Sequence, residues 1–122
     1  MRSLSKLLAA LALLAMLALP AAPAAAHAIL VQSNPAANGT VAGPAVTFEL
    51  HFNSRIDASR SLLTLIRPDK TKTPLTLAAD SPPDQLKASA ELPPGAYVAR
   101  WQVLAVDGHI TRGDVPFTVS GP

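Results

Sequence analysis

The chain has 122 residues, with ten lysines and arginines against eight acids, three histidines and no cysteine. Without cysteine neither disulfides nor thiolate chemistry is available, so a folded domain has to rest on an apolar core. The formal charge of +2 traces to Arg2 and Lys6; from residue 27 onward eight basic residues balance eight acidic ones, and no basic cluster remains to attract nucleic acid or anionic lipid.

Arg2 and Lys6 are followed by an apolar run, residues 7–19, then by Pro20 and a small-residue tract ending in Ala24-Ala25-Ala26. That order of charged, apolar and small residues is the layout of a secretory signal peptide over residues 1–26, with the cut expected between Ala26 and His27. An uncleaved anchor would need roughly 20 apolar residues in one helix. Here Pro20 and Pro23 interrupt the run, and no second apolar span follows residue 27. The expected product is an exported domain, residues 27–122, with no membrane span behind the leader. Both methionines, Met1 and Met16, would leave with the leader, so the processed domain would carry no sulfur.

Period-two alternation predicts the strands. Val46, Phe48, Leu50 and Phe52 alternate with Thr47, Glu49 and His51, which describes a half-buried strand with the even positions inward. Leu63 and Leu65 flank Thr64, and Tyr97, Ala99, Trp101 and Val103 form the apolar face of the longest strand. Shorter candidates are 28–32, 75–78, 86–90 and 115–119, and no stretch has a convincing helical period. Asn34-Pro35, Asn38-Gly39, Gly43-Pro44, Arg67-Pro68-Asp69, Ser81-Pro82-Pro83-Asp84 and Pro93-Pro94-Gly95 punctuate these runs. Proline cannot donate to a strand ladder, so such positions bound strands. About seven short strands at this spacing point to an all-β domain, a small antiparallel sandwich of immunoglobulin-like or Greek-key type.

The three histidines are His27, His51 and His109. Cleavage before His27 would free an α-amine that, with the Nδ1 of the same residue, can close a chelate ring on a metal. His109 follows Asp107 and Gly108 directly after the long tryptophan strand. In an extended segment residues two apart share a side, so Asp107 and His109 are expected to present a carboxylate and an imidazole together. Taken alone, this pair fits a turn-capping aspartate beside a solvated histidine better than it fits a metal site. Combined with an amino-terminal histidine it completes an amine, two imidazoles and a carboxylate, a nitrogen-rich set suited to one Cu(II) per chain, with Zn(II) as the competing ion. Cu(I) lacks a soft ligand here. His51 falls on the polar side of its strand and reads as an exposed strand histidine before it reads as a ligand.

The chain resembles the periplasmic copper-binding CopC family. The resemblance is carried by His27 with Ala28-Ile29-Leu30-Val31-Gln32-Ser33-Asn34-Pro35-Ala36, by Phe48-Glu49-Leu50-His51-Phe52, by Pro94-Gly95-Ala96-Tyr97 and by Asp107-Gly108-His109. It implies a small Greek-key barrel or sandwich, Cu(II) bound by His27, Asp107 and His109, and a role in copper resistance or in supply to a CopD-type inner-membrane transporter. Two departures stand out. Some members hold Cu(I) on a methionine-rich loop with an added histidine, and residues 66–80 contain neither residue type. Others carry a glutamate where this chain has Asn53-Ser54-Arg55.

Two other function classes share some of these features. A copper oxygenase can use an amino-terminal histidine brace, although it would want exposed aromatic platforms for a polysaccharide. An immunoglobulin-like interaction module would hold its histidines incidentally and bind no stoichiometric metal. The resemblance, together with Phe48, Phe52, Tyr97, Trp101 and Phe117 falling nearly all on predicted core faces, favours a non-catalytic binding protein over both.

Overall fold

The computed structural model describes residues 27–121, together with Ser3, Lys6 and Ala9. The rest of the expected signal peptide, and its expected junction with His27, lie outside the described residues. Among the described residues eight strands are formed: β1 (Leu30–Asn34), β2 (Gly39–Ala42), β3 (Ala45–Phe52), β4 (Leu62–Ile66), β5 (Lys72–Pro74), β6 (Gln85–Glu91), β7 (Gly95–Leu104) and β8 (Ile110–Ser120). Among residues 27–121 the only helical element is a single 3-10 turn, Ala58–Arg60. One sheet has the order β1-β3-β6 and the other β2-β8-β7-β4-β5, and a single apolar cluster joins them as a sandwich. Among the described residues no helix is long and apolar enough to cross a membrane.

Alternation places the core where the sequence predicts it. The even positions of β3, Val46 to Phe52, are buried, as are Tyr97, Ala99, Trp101 and Val103 of β7 and Val115, Phe117 and Val119 of β8. Aromatic pairs stitch the two sheets: Phe48 meets Phe117 edge-on at 5.6 Å between ring centroids, and Phe52 meets Trp101 edge-on at 5.2 Å. Both distances fall in the range where the ring quadrupoles attract. Tyr97 stacks on Phe117 at 5.6 Å, and its hydroxyl donates to the Pro93 carbonyl at 2.6 Å, which keeps that polar atom paired at the edge of the core.

Trp101 has a specific requirement of the neighbouring strand. Its register partner on β8 is Gly113, and a Cβ there would lie 2.5 Å from Cζ2 and 2.7 Å from Cε2 of the indole. Gly113→Ala is therefore expected to force the indole off its position against Phe52 and to destabilise the fold by about 1–3 kcal/mol, the usual cost of overpacking. A thermal melt should show this as a drop of roughly 4–8 °C per kcal/mol. An unchanged melting temperature would mean that the indole relaxes freely.

The structure departs from the sequence-based strands in three places. Residues 75–78 form no ladder, because the segment crosses between sheets: the Leu75 amide donates to the Leu63 carbonyl in one, and the Ala78 amide donates to the Lys87 carbonyl in the other. The strand in that region is the short β5 just before it. β2 is an additional strand after the Asn38-Gly39 turn, and it pairs parallel to β8, the one parallel edge in an otherwise antiparallel arrangement. Finally, β1 begins at Leu30, and its register with β3 shifts between Leu30 and Gln32, leaving Val31 outward and exposed.

Candidate metal centre

The amino-terminal arm is tied down from its second residue. Ala28 is 1% exposed and belongs to the core cluster, and its carbonyl accepts from the Thr111 hydroxyl at 2.7 Å. The Ile29 amide donates to Asn53 Oδ1 at 2.8 Å, and its carbonyl accepts from the Asn53 backbone amide at 3.0 Å. Asn53 follows β3 and Thr111 lies near the start of β8, so the arm is held between the two sheets. His27 consequently stands beside His109, with ring centroids 5.1 Å apart and planes at 79°.

His109 and Asp107 are brought together by a tight turn rather than by strand alternation. The Gly108 amide donates to the Ala105 carbonyl at 2.9 Å, and the Ala105 amide donates to the His109 carbonyl at 2.8 Å, closing the β7–β8 connection. Gly108 has φ near 90°, and nothing lies within 4 Å of where its Cβ would be. Glycine is required here by the backbone angle and not by crowding. Within the turn Asp107 Oδ1 accepts from the His109 backbone amide at 3.1 Å, and Oδ2 lies 3.2 Å from His109 Nδ1. The expected pairing of carboxylate and imidazole is present, but an Asx-type turn produces it, because an aspartate side chain readily accepts from the amide two residues on.

The backbone N–H of His109, and then its imidazole, hold the Asp107 carboxyl below the ordinary carboxylate range. The group is therefore ionised and acceptor-only at neutral pH. With the carboxylate facing Nδ1, the Nε2 of His109 is left for another partner, the arrangement in which an acid orients a metal-binding imidazole. Both side chains are open to solvent, His109 at 55% and Asp107 at 35% exposure. Among the described residues no three histidine, aspartate or glutamate side chains converge on one metal-binding point. Two side chains meet in each direction, His27 with His109 and His109 with Asp107. Any further donor from His27 would be a backbone amine, which exists only after cleavage.

His51 is separate from this cluster. It sits half-buried on β3 between Gln32 of β1 and Gln85 of β6, in the polar row that alternation assigns to it. Two residues important to the geometry have no signature in the sequence. Asn53 stands in the segment noted only for lacking a carboxylate, and Thr111 reads as an ordinary strand threonine. Each reaches a backbone group distant in the chain, so spacing could not have singled them out.

A model of the CopC domain matches residues 30–120. The chain belongs to the CopC family. Protein YobA of Escherichia coli K12 is 31% identical over 98 residues, an alignment covering 77% of this chain and 79% of YobA. Copper resistance protein C of Xanthomonas campestris pv. juglandis is 32% identical over 103 residues, covering 77% of this chain and 80% of that protein. The crystal structure of CopC from Methylosinus trichosporium OB3b superposes with a TM-score of 0.70 at 31% identity, covering 78% of this chain and 95% of that one. The CopC match opens at Leu30, inside β1, so Asp107 and His109 lie within it and His27 lies just ahead of it.

Proposed function

We propose that the processed chain is a non-catalytic copper-binding protein of the periplasm, active in copper resistance or transport. It holds one Cu(II) through the amine and imidazole of His27, the imidazole of His109 and the carboxylate of Asp107. The observation that carries this reading is the approach of His27 to His109, 5.1 Å between ring centroids for residues at opposite ends of the domain. Metal–nitrogen bonds to imidazole are about 2.0–2.1 Å, so two imidazoles sharing one ion must have their rings within several ångströms of each other, and this approach supports that reading. Three nitrogens and one oxygen suit tetragonal Cu(II), the divalent ion that such donors bind most tightly. The region from residue 27 on has no cysteine or methionine to favour Cu(I). Family membership and the kinship to a copper resistance protein support the same cargo.

Two further features favour carriage over catalysis. All five aromatic residues, Phe48, Phe52, Tyr97, Trp101 and Phe117, are buried in the core, so none forms a platform on which a polysaccharide could stack. Val106 and Ile110, the sequence neighbours of Asp107 and His109, are exposed large hydrophobics, as is Ile29 two residues from His27, and they offer apolar surface beside the donors for an acceptor. A CopD-type membrane transporter engaging this surface would supply softer or additional ligands to take the ion.

Alanine variants test the assignment. His109→Ala should lower Cu(II) affinity by more than about 100-fold and Asp107→Ala by at least about 10–100-fold, the loss usual even for groups that only orient a ligand. His51→Ala should leave affinity unchanged. Competition titration against a chromophoric chelator reads all three. A loss at His51 matching that at His109 would bring His51 into the coordination sphere, and a wild-type protein without stoichiometric copper would sink the reading.

A further inference from the structure

We infer that Asn53 and Thr111 are positioning residues for the metal centre, holding the amino-terminal arm so that His27 meets His109 before any metal arrives; the inference rests on the Cu(II) reading above. Asn53 grips Ile29 at both polar backbone atoms, accepting its N–H through Oδ1 at 2.8 Å and donating its own N–H to the Ile29 carbonyl at 3.0 Å. Thr111 takes the preceding carbonyl, that of Ala28, at 2.7 Å, while the Ala28 methyl is buried. Two consecutive residues are thereby fixed by three hydrogen bonds and a core contact, and His27 is left with only its own torsions to set. Consecutive Cα atoms are 3.8 Å apart, so fixing Ala28 confines the His27 backbone to a small shell beside the β7–β8 turn.

The arrangement also couples the two halves of the site. His109 and Thr111 lie two residues apart on the chain entering β8, one offering an imidazole and the other anchoring the arm that bears its partner. A flexible amino terminus would have to be ordered when the ion binds, and that ordering entropy would subtract from affinity. Here the ordering occurs on folding. The clamp also explains a polar side chain at residue 53 without any direct bond to metal.

The test uses protein expressed with residues 1–26, recovered after export and checked by mass spectrometry to begin at His27. Asn53→Ala and Thr111→Val should each lower Cu(II) affinity by about 10–100-fold, the range found when groups outside the coordination sphere are removed. Both should also alter the nitrogen hyperfine pattern of the Cu(II) electron paramagnetic resonance spectrum. Thr111→Ser keeps the hydroxyl and should restore affinity and spectrum. In the metal-free protein, amide hydrogen exchange at Ile29 should accelerate in Asn53→Ala while amides of β7 keep their protection, which separates a loosened arm from a destabilised fold. Variants that bind copper with wild-type affinity and spectrum would overturn the proposal, as would unchanged exchange at Ile29. If the wild-type protein itself binds no Cu(II), the metal reading fails instead, and the exchange rates still decide whether Asn53 holds the arm.

Discussion

Processed protein carrying one extra residue ahead of His27 is expected to bind Cu(II) on the order of 10³-fold more weakly than protein that begins at His27. Removing a group that merely orients a ligand costs about 10–100-fold in metal affinity. The extra residue removes more, since it converts the amine into a peptide amide and leaves the His27 imidazole without the ring it closes. The fold should be untouched, because the first buried residue is Ala28 and every bond that ties the arm begins there. Competition titration and electron paramagnetic resonance of the two forms give the comparison directly. Equal affinity with an identical nitrogen hyperfine pattern would exclude the amine from the site. On the proposed Cu(II) reading, cleavage before His27 would itself be a chemical step in building the centre, since it would create the amine donor.

The largest effect on stability is expected at Phe48. It is 0% exposed at the middle of β3, the central strand of the three-stranded sheet, and it meets Phe117 of the opposite sheet edge-on at 5.6 Å. Phe117 in turn stacks on Tyr97, so truncation at Phe48 removes the end ring of a row of three and leaves a cavity against the other two. Buried Phe→Ala changes cost about 3–5 kcal/mol, and a small domain has only about 5–15 kcal/mol in total. No disulfide is available to offset the loss, since the chain has no cysteine. Phe48→Ala should therefore shift the urea midpoint to a small fraction of the wild-type value or leave the protein unfolded. Cu(II) at about 100 times its dissociation constant should restore about 2.7 kcal/mol if binding is confined to the folded state. A midpoint within a few tenths molar of wild type would show that the two sheets do not depend on this contact.

How much of the molecule was legible in the sequence differs from element to element. β3 and β7 were readable because a long strand with one buried face imposes period two on its residues, and both show it without interruption. Residues 75–78 share that local pattern and yet form no ladder, since their hydrogen bonds divide between two sheets and nothing local records which sheet a residue will meet. β2 was missed for the opposite reason. Its residues, Gly-Thr-Val-Ala, carry a weak strand signal, and their pairing parallel to β8 is decided by how the Asn38-Gly39 turn delivers them to that edge. Trp101 was readable as core, whereas its need for Gly113 depends on a strand register that appears only on folding.

Residue type limits the donors a metal could find: with no sulfur after residue 26, only nitrogen and oxygen ligands are on offer from residue 27 on. Family membership, too, was visible in the order of short blocks along the chain. What the tertiary structure decided was proximity. His27 and His109 come together because Asn53 and Thr111, from opposite sheets, hold the arm at backbone atoms, and Asp107 turns toward His109 because Gly108 takes a backbone angle that closes the turn. Sequence determines which groups a chain can offer, since that is a property of each residue alone; which of them meet depends on hydrogen bonds between distant segments, and those exist only once the two sheets have packed.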